Sequence, residues 1–151
     1  LKEIKSKKGG FYVKDIILAT HGNLSYEFKK TAELIVGPIK NVNCFGMTKD
    51  KSSIKAKEEI EAMINSVDES NLIVLTDLFG GSATNIFMEL LLQGHHFTLL
   101  SGLNLPMLLT LLTTDSADLS TSDLVNQLKN AGIAGIVDVG EKVREGVENN
   151  A

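Results

Sequence analysis

Two uninterrupted aliphatic runs, Ile16–Ile17–Leu18–Ala19 and Leu72–Ile73–Val74–Leu75, dominate the hydrophobic pattern of the chain. Runs of this length, closed by polar residues and glycine, predict buried parallel strands. The first stops at Thr20, His21 and Gly22; the second stops at Thr76 and Asp77, ahead of Leu78, Phe79, Gly80, Gly81 and Ser82. Between them the period changes. Leu24, Phe28, Thr31, Ala32 and Ile35 recur at three-to-four spacing, which predicts a helix with Asn23 or Ser25 as its cap and Gly37–Pro38 as its stop. Residues 41–46 predict a short strand. Residues 53–67 predict a second helix, with Ala56, Ile60, Met63, Ile64 and Val67 on one face and a charged, solvated face opposite.

Beyond the second aliphatic run the pattern gives a mostly apolar helix from Ser82 or Ala83 to Leu92, then a strand over residues 97–100. Asn104, Leu105 and Pro106 read as a helix start, because proline is tolerated in the first turn. Residues 120–131 predict a further helix with Gly132 as its stop, residues 133–139 a fifth strand, and residues 141–148 a terminal helix. Strands alternating with helices, joined by right-handed crossovers, predict an α/β fold: a three-layer sandwich around a mainly parallel sheet. The rims of the first and third strands meet if the order is 2-1-3-4, and His21 and Asp77 then flank the crevice between them. Leu24, Phe79 and Leu103 border that crevice, where they either form the apolar part of a docking surface or pack inward.

The chain has 151 residues, 43% of them hydrophobic, enough for one core. Residues 1–13, which include Lys5, Ser6, Lys7, Lys8, Gly9 and Gly10, are set apart as an N-terminal extension or cloning remnant, leaving residues 14–151 as a single domain. The end at Ala151 suggests a standalone or trimmed protein. With 15 basic and 19 acidic residues the formal net charge is −4, which disfavours a nucleic-acid footprint. No apolar run approaches the ~18 residues of a membrane span, and no signal-peptide core follows the lysine-rich start. The only cysteine, Cys44, lies in an apolar run and reads as a buried strand residue; a reducing cytoplasm is the expected compartment.

A histidine facing a carboxylate donates one ring N–H to it and keeps the other nitrogen free as general base, metal ligand or phosphoryl acceptor. Metal binding is the weakest of these, since no cysteine or second histidine stands at ligand spacing and His95–His96 lie at the opposite strand end. Those two read as surface residues entering the fourth strand. Ser82 and Ser101 are candidate nucleophiles, but neither occupies a G-x-S-x-G elbow. The phosphate-cradling G-x-x-x-x-G-K-[ST] and dinucleotide G-x-G-x-x-G patterns are absent, so no cofactor is expected. What remains is an anion site: Gly22 leads into one helix N-terminus, and Gly80–Gly81–Ser82 leads into another.

Three motifs then carry a resemblance. Ala19–Thr20–His21–Gly22, Leu75–Thr76–Asp77–Leu78–Phe79–Gly80–Gly81–Ser82–Ala83–Thr84–Asn85 and Ser101–Gly102–Leu103–Asn104–Leu105–Pro106–Met107–Leu108, with the late Arg144–Glu145–Gly146–Val147, resemble the IIA proteins of the mannose/sorbose class of the bacterial phosphoenolpyruvate-dependent sugar phosphotransferase system (PTS). The resemblance covers about residues 14–148. It implies a phosphotransferase in which His21 accepts a phosphoryl group on Nε2 from the phosphohistidine of HPr. The group then passes to a IIB subunit, which phosphorylates the sugar during transport by IIC and IID. It also implies that Asp77 holds Nδ1–H, that Gly22, Gly81 and Ser82 help neutralise the phosphoryl oxygens, and that no metal or nucleotide is used. A homodimer is implied too, with the last strand exchanged as an antiparallel edge. Many relatives carry Pro–Phe where Ala83–Thr84 stands and a small residue at Tyr26 or Glu27, departures that bear on partner specificity. The competing readings are a regulatory module that senses phosphorylation without passing it on, and a hydrolase of small phosphorylated compounds. The sugar is not legible.

Overall fold

The two-residue alternation along each strand decides the layers of the fold. The computed structural model describes residues 7–8 and 11–150; the remainder of the expected N-terminal extension lies outside the described residues. Lys7–Lys8 (β1) and Phe11–Tyr12 (β2) pair antiparallel, apart from the main sheet. That sheet consists of Asp15–His21 (β3), Val42–Met47 (β4), Leu72–Thr76 (β5) and Thr98–Ser101 (β6), all parallel, in the order β4-β3-β5-β6. This is the expected 2-1-3-4 order. Val13, placed in the extension by the sequence reading, is buried with the core.

Successive side chains of a strand point to opposite faces. Ile16 and Leu18 of β3, with Ile73 and Leu75 of β5, face a layer formed by Leu24–Val36 (α1), Leu105–Thr113 (α4) and Thr121–Ala134 (α5), where Ala32, Met107, Leu108, Leu124 and Leu128 close the core. Ile17, Ala19 and Val74 face the other way, against Ile60 and Ile64 of Ser53–Asn65 (α2) and Phe87 and Leu90 of Ser82–Leu92 (α3). Two buried faces explain why β3 and β5 are continuously apolar rather than alternating.

Capping sets several helix starts. The side chains of Ser52, Asn104 and Ser120 accept the backbone N–H of Lys55, Met107 and Asp123, beginning α2, α4 and α5. Helix α1 differs from expectation. Asn23 occupies the cap position without a side-chain bond; instead Thr20 Oγ1 accepts the N–H of Ser25 at 2.8 Å, and the buried Ser25 hydroxyl donates to Phe45 O at 2.8 Å. The strand end and the helix start are thereby locked together beside His21.

Two expectations at the C-terminal end are corrected. Gly132 does not stop α5; the helix runs on to Ala134, with Gly132 packed so close to α4 that a Cβ would stand 3.1 Å from Met107 Cε. Residues 133–139 do not form a fifth strand in the single chain. They make the last turn of α5, an unpaired bend and the start of Val139–Asn149 (α6), because Asp138 caps α6 by accepting the N–H of Glu141. Among the described residues, no helix is long and apolar enough to cross a membrane.

Candidate functional site

The parallel ladder between β3 and β5 ends with Ala19 opposite Thr76, so the residues that follow these two stand together at the C-terminal rim, with β3 still paired to β4 through His21 and β5 ended at Thr76. Those residues include His21 and Asp77. The imidazole Nδ1 lies 2.9 Å from Asp77 Oδ2, and the same oxygen accepts the backbone N–H of His21 at 3.0 Å. A carboxylate can only accept, so Nδ1 carries the proton and Nε2 bears the lone pair. The imidazole is half exposed and the carboxylate mostly covered, at 50% and 15% of their free side-chain areas. Partial burial pushes the Asp77 carboxyl upward, but the hydrogen bonds from the His21 ring and backbone, with the charge of the imidazolium form, outweigh it and hold the group below its ordinary range.

Gly81 fixes the other edge of the ring. It is buried, and a Cβ there would stand 2.7 Å from His21 Cε1 and 3.4 Å from Nε2, so only glycine lets the backbone pass this close. Gly46 makes a second close approach: a Cβ would meet Gly22 O at 2.3 Å, and Gly22 N–H donates to Met47 O at 2.8 Å. These contacts tie the turn after His21 to the end of β4. Helix α1 begins just after Gly22 and α3 at Ser82, so two helix N-termini flank the imidazole with backbone N–H groups unused within the helices. Ser82 is exposed on the first residue of α3, whereas Ser101 Oγ is buried, has no hydrogen-bond partner among the described residues, and is unavailable as a surface nucleophile.

Of the three expected docking residues, the structure exposes two. Phe79 is 77% exposed and Leu24 nearly half exposed. Leu103 is corrected: it is 8% exposed and packs into the α1/α4/α5 core beside Met107 and Leu108, because its N–H and that of Gly102 donate to Thr76 O and turn the chain inward. Leu78 and Tyr26 are exposed apolar residues of the same rim; Tyr26 enters the sequence reading as a departure from relatives that bears on partner specificity, whereas Leu78 is not singled out there. Sequence reasoning also missed Thr76 and Thr84, two buried threonines whose hydroxyls meet beneath the Asp77 turn. Threonine at the end of an aliphatic strand and again inside an apolar helix was the available signal. Cys44 is half buried, and burial pushes its thiol upward, as a strand residue rather than a reactive one. His95 and His96, at the far end of the sheet, both engage Glu69: His95 through Nδ1, and His96 by donating its backbone N–H, with its Nδ1 also within ion-pair distance.

A parallel α/β sandwich that presents a half-exposed histidine and its carboxylate at the rim of a switch point has the arrangement that nucleophilic or group-transfer chemistry can use. Comparison with known proteins makes this specific. The family described as the PTS system fructose IIA component matches residues 15–129, and the chain belongs to it. It is 29% identical over 114 residues to the sorbose-specific EIIA component of Lacticaseibacillus casei, covering 76% of this chain and 82% of that one. It is 27% identical over 122 residues to the mannose-specific EIIAB component of Escherichia coli K12, covering 80% of this chain but 38% of the relative's length. The crystal structure of a phosphotransferase system EIIA component from Streptococcus agalactiae superposes with a TM-score of 0.74 at 29% identity, covering 84% of this chain and 98% of that one.

Proposed function

We propose that the protein is a phosphocarrier that takes a phosphoryl group from phospho-HPr onto Nε2 of His21 and passes it to a IIB subunit, for sugar uptake through IIC and IID in the cytoplasmic relay. The observation that carries this reading is the 2.9 Å contact between His21 Nδ1 and Asp77 Oδ2, which leaves Nε2 as the nucleophile on an exposed ring edge. In the forward step the Nε2 lone pair forms a P–N bond as the donor's P–N bond breaks in line with it. The His21 ring becomes cationic, and Asp77, already accepting Nδ1–H, stabilises that charge. The phosphoryl oxygens meet Gly22, Gly81, the Ser82 hydroxyl and the amides of the α3 N-terminus. The second transfer reverses these steps toward a IIB nucleophile. Leu24, Phe79, Leu78 and Tyr26 give the rim an apolar surface for the two partners, suited to the modest interfaces of transient complexes.

The same reading includes a homodimer. Ile133, Ile136, Val137 and Val139 are exposed, and Ile133 and Ile136 share a recess with Leu100 and Ser101 of the edge strand β6. A second copy that recruits residues 133–139 as an antiparallel edge strand would cover them, forming that strand only on association.

The test is labelling. Protein incubated with labelled phosphoenolpyruvate, enzyme I and HPr is expected to take up label, lose it to IIB, and take up none as His21→Ala. An unlabelled wild type would overturn the carrier reading; label that no IIB removes would favour a sensor.

A further inference from the structure

We propose that Thr84 is the residue that positions Asp77, acting through a buried chain of hydroxyls under the turn. This rests on the phosphocarrier reading only for its effect on transfer rate. Asp77 lies between two residues that Thr84 grips. Thr84 Oγ1 lies 2.8 Å from Thr76 Oγ1 on one side and 2.8 Å from Leu78 O on the other. A carbonyl can only accept, so the single Thr84 hydroxyl proton points to Leu78 O. The Thr76 hydroxyl then donates to Thr84 Oγ1, giving a directed chain from strand to helix to turn. Leu78 O also accepts the N–H of Gly81 at 3.1 Å, so one carbonyl receives both the hydroxyl and the amide of the residue that abuts the imidazole.

The surroundings make this chain a constraint rather than an ornament. Thr84 is 2% exposed and Thr76 fully buried, so water does not replace a lost Thr84 hydroxyl: the Thr76 hydroxyl loses its acceptor, and Leu78 O keeps only the Gly81 N–H. Thr76 O is held in turn by Gly102 N–H at 3.0 Å and Leu103 N–H at 2.9 Å. Asn85 Nδ2 donates to Gly80 O at 3.2 Å and steadies the far side of the same turn. Thr76 is therefore anchored to the sheet and Leu78 to α3. Asp77 between them has little freedom to move its carboxylate away from His21. Thr84 touches neither the imidazole nor the transferred group; its effect passes through the backbone on both sides of Asp77.

Thr84→Val keeps the shape and removes the hydroxyl; Thr84→Ser restores it. Two readouts on the full chain separate the possibilities. The His21 Nδ1–H resonance, observed by ¹H–¹⁵N NMR, reports the Asp77 contact with no partner protein present. Labelling from phospho-HPr reports its consequence. Thr84→Val is expected to shift the resonance and speed its exchange with water, and to slow labelling about tenfold, as a catalytic group displaced by a fraction of an ångström would. Thr84→Ser is expected to recover both. A folded Thr84→Val with the wild-type resonance and rate overturns the proposal, even if its Tm falls. Should Thr84→Val fail to fold, Thr76→Val, which removes the inner link alone, is judged by the same criterion. A wild type that takes no label fails the phosphocarrier reading, and the resonance still decides the role of Thr84.

Discussion

Gly81→Ala tests the geometry of the site most directly. The added Cβ would stand 2.7 Å from His21 Cε1, 3.4 Å from Nε2 and 3.1 Å from Leu78 O. Unstrained carbon–carbon contacts lie near 3.5–4.0 Å, so the ring must retreat by roughly 1 Å. A shift of that size disturbs the 2.9 Å contact to Asp77, whose strength depends on both its length and its angle. A charge-assisted hydrogen bond contributes about 1.5–3 kcal/mol, and a displacement of 1 Å at a reacting group slows a reaction on the order of 100-fold, so labelling from phospho-HPr is expected to fall about 100-fold. The fold is expected to persist. Gly81 has φ −70° and ψ 159°, a conformation alanine adopts freely, so its own dihedrals are unstrained and the crowding falls on the imidazole and, less closely, on Leu78 O. Single-turnover labelling by rapid quench, with circular dichroism as the folding control, measures both. A folded variant labelled within about twofold of wild type would refute the contact between Gly81 and the imidazole.

Asp77→Asn is expected to slow labelling by about 10- to 100-fold, in keeping with one lost charge-assisted bond. Because the Asp77 carboxyl is held below its ordinary range, its contribution to stability is complete above the unfolded value of about 3.9 and fades as pH falls through the lower folded one. The Tm gap between wild type and Asp77→Asn should therefore be open at pH 6 to 7 and close on acidification, and a gap that stays constant to the lowest measurable pH contradicts the pairing. Phe87→Ala, which empties a fully buried site of the α2/α3 layer, should cost about 3–5 kcal/mol by urea denaturation. Gly146→Ala serves as the reverse control: a Cβ there meets nothing within 4 Å on the exposed face of α6, so helicity should rise while labelling stays unchanged.

The parts of this fold that were readable in the sequence are those where one physical cause dominates. Burial on two faces makes β3 and β5 continuous apolar runs, and that pattern gives their position and parallel character without help from distant residues. The start of α4 at Asn104, whose side chain accepts the N–H of Met107, follows from local hydrogen bonding, which acts over a few residues. Where two causes compete, the pattern misleads. Gly132 looks like a stop because glycine disfavours helices, yet close packing against Met107 asks for glycine inside the last turn of α5. Leu103 sits next to an exposed glycine and reads as rim, yet two backbone bonds to Thr76 O turn it into the core. Residues 133–139 are apolar enough for a strand, but a strand needs a neighbour to bond with, and a single sequence does not say whether another chain supplies it.

The candidate site divides along the same line. His21 and Asp77 are legible because each ends an aliphatic run, and parallel strands in adjacent register bring such ends together. The residues that make the pair usable are less visible, because their work depends on distances across the fold. Gly46 matters only because Gly22 O comes to rest against it, Gly81 only because the imidazole does, and Thr84 only because Thr76 and Leu78 arrive on either side of its hydroxyl. None of these contacts has a spacing that a one-dimensional pattern marks. A histidine and an acid at strand tips thus announce where the chemistry sits, whereas the tolerance of the site to change is set by small residues and buried hydroxyls one layer behind. It follows that substitutions in that layer should alter the rate of transfer while leaving His21, Asp77 and the sheet in place, and that sequence comparison restricted to the two motif residues would miss them.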